Sequence, residues 1–181
     1  RFFEFVFRSQ EAYTLTDDLL GSDIVHQTGT LNFTDQEADL SRIRIIFGER
    51  EKFLNLGSAQ ISLSFESDNF VEALSIYSRS NVTVDPGTSV LNLTGFNARI
   101  RADHPTRLHE VVFSNPAGTG TLRTETGTMP DLTTAAVTFN GNGTLDTELV
   151  TDSLLFAPGK SYVFRADAEQ RINEYWRVIG N

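Results

Sequence analysis

Ser58-Ala59-Gln60-Ile61-Ser62-Leu63-Ser64-Phe65-Glu66 is the most regular stretch of the chain. Ala59, Ile61, Leu63 and Phe65 fall on one side of an extended backbone, and Gln60, Ser62, Ser64 and Glu66 on the other. Such alternation describes a strand with one face in a core and one in water. Residues 41–47 repeat it, with Ile43, Ile45 and Phe47 inward against Arg42 and Arg44. Residues 144–150 set Leu145 and Leu149 opposite Asp146 and Glu148. Further strands are predicted over 161–167 and 172–179, and less regular ones over 24–33, 70–77, 89–96, 108–113, 120–125 and 135–139.

Turn chemistry separates these runs. Asp85-Pro86-Gly87, Asn115-Pro116-Ala117-Gly118, Asn140-Gly141-Asn142-Gly143 and Ala157-Pro158-Gly159 fix φ or permit positive φ. Asn140-Gly141 reads as a hairpin turn. Helix is scarce: one or two turns are predicted over 14–20, and a capping box at Thr34-Asp35-Gln36-Glu37 opens a short helix over 38–40. A further short helix is predicted over 168–171. No repeat, low-complexity tract or linker within the body stands out. About ten to twelve strands in one domain imply an all-β fold: a jelly-roll-like sandwich of two antiparallel sheets with an N-terminal extended strand. Residues 1–16 form that strand and a linker, and 17–181 the body.

Composition narrows the function classes. The chain has 181 residues with no cysteine, so disulfides, thiolate metal sites and Cys nucleophiles are excluded. Fifteen basic and 24 acidic side chains leave a formal charge of −9, which argues against nucleic acid as a partner. No apolar run is long enough for a membrane-spanning helix. The first residue is Arg1, which fits a removed leader or trimming.

No nucleotide, nucleophile-elbow, zinc-protease or EF-hand motif appears. His104 and His109 are five residues apart, so an extended segment puts them on opposite faces; His26 is remote in sequence. Glu72, Glu110, Glu148 and Glu174 lie in or near predicted strands, and Asp131, Asp146, Asp152, Asp167 and Glu169 are the best calcium donors. None has a diagnostic spacing. No catalytic residue, cofactor or metal site is therefore assigned, and the chain reads as non-enzymatic. Trp176 and Tyr175, with Tyr162 and Tyr77, are the candidate rings for stacking on a glycan.

Four acceptor sequons stand out, at Asn32, Asn81, Asn92 and Asn142, each followed two residues later by Thr. Composition alone predicts roughly one Asn-x-Thr, so four is an excess that points to N-glycosylation and an extracellular location. The N-terminal Arg1-Phe2-Phe3-Glu4-Phe5-Val6-Phe7-Arg8 puts Phe3, Phe5 and Phe7 on one strand face. Burying three such rings is worth on the order of 5–9 kcal/mol before entropy. The strand completes either its own sheet or, by β-augmentation, a neighbour's.

This terminus, the cysteine-free all-β body and the sequons together resemble the extracellular filament and pilus subunits assembled by donor-strand exchange. Archaeal threads and bundling pili, and bacterial matrix fibres, are of that build. The resemblance implies a jelly-roll or Ig-like sandwich and a structural subunit that polymerises with copies of itself, with Phe3, Phe5 and Phe7 as the subunit interface. The alternative is a carbohydrate-binding or adhesive module with glycans as partners. A viral coat or decoration jelly roll comes third.

Overall fold

The structure is a computed structural model that describes residues 3–46, 48–66, 71–77, 81–124 and 132–178. The chain winds into a β-solenoid in which every strand pair is parallel, its turns stacking eight strands deep. The first turn runs through β1 (Phe3–Phe7), β2 (Ala12–Thr14) and β3 (Leu19–Leu20). The second comprises β4 (Ser22–His26), β5 (Gly29–Asn32) and β6 (Glu37–Leu40); the third β7 (Arg42–Ile45), β8 (Lys52–Asn55) and β9 (Gln60–Leu63). The fourth has β10 (Leu74–Ile76), β11 (Val82–Asp85) and β12 (Val90–Leu93); the fifth β13 (Arg99–Ala102), β14 (Thr106–Arg107) and β15 (Glu110–Phe113). After that each turn has two strands: β16 (Thr119–Arg123) and β17 (Leu132–Phe139), β18 (Asn142–Asp146) and β19 (Leu149–Phe156), then β20 (Tyr162–Phe164) and β21 (Gln170–Val178).

Stacked turns form three flat faces. The first face has eight strands, β1 to β20; the second has four, β2, β5, β8 and β11; the third has nine, β3 to β21. The second face merges into the third further along, because β17 pairs through Leu132 and Thr133 with β14 and through Ala136 to Phe139 with β15.

The expected antiparallel jelly-roll sandwich is therefore wrong, and with it the Ig-like or jelly-roll resemblance to donor-strand subunits. Alternation was read correctly as one wet and one dry face, but it carries no information on strand direction. Parallel sheets usually bury both faces. A solenoid is the exception, because each sheet packs only inward. Asn140-Gly141 is a corner leading from β17 on the third face to β18 on the first, not a hairpin turn. The predicted helices are absent among the described residues: 14–20 contains β3, and 37–40 is β6.

The core is a set of columns parallel to the long axis. On the first face Ile24, Ile43, Leu74, Ile100, Leu122 and Leu145 follow one another in register, all buried. On the third face Leu40, Leu63, Leu93, Phe113, Phe139 and Phe156 do the same. Phe113 and Phe139 stack at 4.7 Å and 7°, and Phe139 and Phe156 at 5.7 Å and 11°. The opposite face makes room for these rings: Gly120 and Gly143 are in register, and a Cβ on Gly120 would enter the Phe113 ring. One on Gly143 would lie 2.9 Å from Phe139.

The corners between the second and third faces also stack. Thr34, Gly57 and Gly87 have φ of 60°, 57° and 50°. Ser58 N–H donates to the Thr34 carbonyl at 2.6 Å, and Thr88 N–H to that of Gly57 at 2.7 Å. Asn55 and Asp85 side chains cap the next two corners by accepting from Gly57 and Gly87 N–H, both at 3.2 Å. The repeat behind this is Leu31-Asn32-Phe33-Thr34, Leu54-Asn55-Leu56-Gly57 and Val84-Asp85-Pro86-Gly87. It escapes a search for a fixed period because the connections between β7 and β8 and between β9 and β10 vary in length.

Candidate functional site

The two ends of the coil are where core positions meet solvent. At one end β1 pairs with β4, placing Phe5 on Ile24 and Phe7 on His26. Phe7 is half-buried and packs edge-on against Tyr13 at 5.1 Å, whereas Phe5 is 40% and Phe3 60% exposed. The expected face of Phe3, Phe5 and Phe7 thus exists, and it pairs within its own chain as the first strand of the coil. Glu4, on the outer side of β1, accepts from the Arg44 guanidinium at 2.6 Å.

At the other end Phe164 follows Leu145 in register, Trp176 follows Leu154, and Val178 follows Phe156. Leu154 is fully buried and Trp176 is 58% exposed, although they occupy the same column. Phe164 is edge-on to Phe156 at 5.9 Å. Tyr175 is in register with the outward Ser153, so adjacent Tyr175 and Trp176 lie on opposite sides of β21 and do not form one stacking platform. Tyr77 donates its hydroxyl to buried Glu72 at 2.6 Å, and Tyr162 donates to the Ala157 carbonyl at 2.9 Å. Burial raises both tyrosine pKa values; the Glu72 carboxylate adds to the rise at Tyr77.

Besides Glu72, two further titratable groups among the described residues are buried, and the sequence did not announce their burial. His26 is fully buried between Phe7 and Ile45 and donates from Nε2 to the Gly29 carbonyl at 3.0 Å. Lys52 is inward on β8, buried, with its ammonium donating to the Gly48 and Arg50 carbonyls at 3.0 Å each. Desolvation lowers both pKa values, and the Lys52 charge lowers His26 a little further. Register places His26 between Phe7 and Ile45, and Lys52 between Gly29 and Val82, so both stand at inward positions of their strands. Enclosed as they are, they affect stability rather than offer a surface to a substrate.

The remaining candidates do not converge. His104 donates to the Pro105 carbonyl at 3.1 Å, and His109 is half-buried by β15. No group of three or more His, Asp or Glu among the described residues has the spacing to hold a metal ion. Asp131 lies outside the described residues. Asp152 accepts from Asn173 at 3.0 Å, and Asp167 accepts from Arg165 at 2.6 Å, a bond that lowers the Asp167 pKa. On the first face Arg44, Ser75, Arg101, Arg123 and Asp146 follow in register, with Arg101 paired to Asp103 at 2.6 Å and set over the Tyr77 ring. Such partly exposed pairs add little stability each.

Of the sequon residues, Asn81 is exposed at a corner with φ of 34°. Asn32, Asn92 and Asn142 sit half-buried in strands. Asn32 donates to Thr14 Oγ1 at 3.2 Å, and Asn142 accepts from Ser161 N–H at 3.0 Å.

Fold and ends together define an all-parallel β-solenoid whose terminal strands are uncapped among the described residues. Comparison with family models, curated proteins and solved structures finds no match. No helix among the described residues is long and apolar enough to cross a membrane.

Proposed function

We propose that this protein is a structural, non-enzymatic extracellular subunit whose solenoid rods join end to end into a filament or surface layer. The observation that carries the reading is that both ends present the same two sheets. The first face begins with β1 and ends with β20; the third begins with β3 and ends with β21. Because all strands run the same way, a second copy placed head to tail continues both sheets without reversing direction. Phe3 and Phe5 at one end and Phe164, Trp176 and Val178 at the other are the side chains that this would cover. An uncovered apolar edge of this kind is a template for pairing with another chain. A heterologous contact that does not close propagates as a fibre. In this reading strand pairing between copies takes place between whole ends rather than by donation of residues 1–8. The extracellular assignment draws on the four sequons, with Asn81 as the most accessible.

The test is the assembly state of the 181-residue chain, by light scattering and electron microscopy. Rods longer than one copy, lost in a Trp176→Glu, Val178→Glu double variant that keeps its β circular dichroism, are the expected result. Trp176 is the single tryptophan, so its emission should shift to the blue on assembly. A chain that stays monomeric up to millimolar concentration, with solvent-exposed Trp176 emission, overturns the reading.

A further inference from the structure

The second face carries a surface unlike the rest of the rod. Thr30, Phe53 and Thr83 form one outward column in register across β5, β8 and β11; Asn32, Asn55 and Asp85 form the next. Phe53 is 42% exposed, although it lies mid-strand with a paired strand on each side. Its exposure therefore does not come from an open end, as that of Trp176 does. Two shallow depressions, of about 460 and 550 Å3, meet at Phe53 and Thr30. One is bounded by Asn32, Asn55 and Asp85; the other by Gln10, Glu49, Arg50, Glu51 and Asn81. The result is a trough with one aromatic ring on its floor and hydrogen-bonding side chains along both rims.

We infer that this trough binds a neutral oligosaccharide, with Phe53 as the stacking platform. A pyranose has one apolar C–H face and a rim of hydroxyls, so it needs a single flat ring and several donors and acceptors close by. Ligand sites are commonly built from an aromatic surface with a few placed polar groups. Neighbouring strands set outward side chains about 4.8 Å apart, which offers a linear chain a repeated set of amide, hydroxyl and carboxylate groups. Charge selects the class of sugar. Glu49, Glu51 and Asp85 outnumber Arg50 in the rims, so uronate or sulfated chains are repelled. A protein partner fits less well, because stable protein interfaces bury about 800 Å2 per side around a cluster of apolar anchors. Among the described residues Phe53 is the single exposed large apolar side chain lining the trough. The inference is independent of end-to-end assembly, since none of Phe3, Phe5, Phe164, Trp176 and Val178 lines the trough.

The experiment uses the 181-residue chain produced without glycosylation, because a glycan on Asn32 or Asn81, both of which line the trough, would cover the site. Cellohexaose, mannohexaose, chitohexaose and hexagalacturonate are titrated calorimetrically against it. At least one neutral hexamer should bind in the micromolar to millimolar range, and hexagalacturonate more weakly than that hexamer. Phe53→Ala should weaken binding at least tenfold with an unchanged thermal midpoint, while Phe53→Trp retains it. Asp85→Asn keeps an acceptor for Gly87 N–H and removes one charge. It should leave the neutral hexamer unaffected and improve hexagalacturonate. The inference is overturned if no neutral hexamer binds, if Phe53→Ala binds as the parent does, or if hexagalacturonate is preferred.

Discussion

Leu154 and Trp176 are neighbours in one column of the third face, yet one is sealed from water and the other is more than half exposed. Both are large apolar side chains at inward positions. The difference is that Leu154 has a turn of the coil on each side and Trp176 has one on one side among the described residues. The same contrast separates Ile24, buried, from Phe5, 40% exposed. In a solenoid a residue's burial is set by its neighbouring turns as much as by its own strand. Stability should therefore be concentrated in the middle and association at the ends.

The largest expected effect tests the middle directly. Phe139→Ala removes a ring stacked between Phe113 and Phe156 and should cost about 3–5 kcal/mol in denaturant unfolding. Trp176→Ala, measured on unassembled protein, should stay within about 0.5 kcal/mol of the parent. Equal losses at the two sites would break the comparison.

Two corner glycines sharpen it. Gly21 (φ 74°) has open space around a built Cβ, whereas at Gly57 (φ 57°) a Cβ would overlap the Thr34 carbonyl of the turn before. Left-handed backbone alone costs a non-glycine residue about 1–2 kcal/mol. Gly21→Ala should show that cost, and Gly57→Ala clearly more, because only there does a stacked corner stand in the way. Thermal or denaturant unfolding of the two variants measures the gap.

The smallest effect is the one that depends on pH. His26 has a folded-state pKa below its ordinary value of about 6.5 because the coil desolvates it. The fold thus holds it neutral, and the unfolded chain binds a proton first as pH falls. Its contribution is fully present above pH 6.5 and is lost as pH drops from there through the folded-state value. Stability of the parent should decline as pH falls below about 6.5, and His26→Leu should flatten that part of the profile. An unchanged slope in the variant would show that other groups carry the acid sensitivity.

Much of the local structure was legible. The stretch 58–66 is a strand with Ile61 and Leu63 buried and Gln60 outward, as its alternation says. Phe3, Phe5 and Phe7 do share a strand. What misled was the familiar pairing of alternation with antiparallel sheets, and of Asn-Gly with hairpins. The repeat was present in the Leu-Asn and Val-Asp corners but was stretched unevenly by connections of different length. Of the trough, Phe53 was invisible: in sequence it is one more Phe among 14, and its partners lie 23 and 30 residues away.

The sequence by itself determined that the chain is all-β, that its central strands each have one dry face, and that it carries no thiol chemistry. Those follow from side-chain period and composition, which are local or additive. Tertiary structure alone decided strand direction, the stacking of Leu40 through Phe156 into one column, the enclosure of His26 and Lys52, and the exposure of Phe53 and Trp176. Those depend on which turn lies next to which, and residues far apart in the chain become neighbours only once the coil is wound.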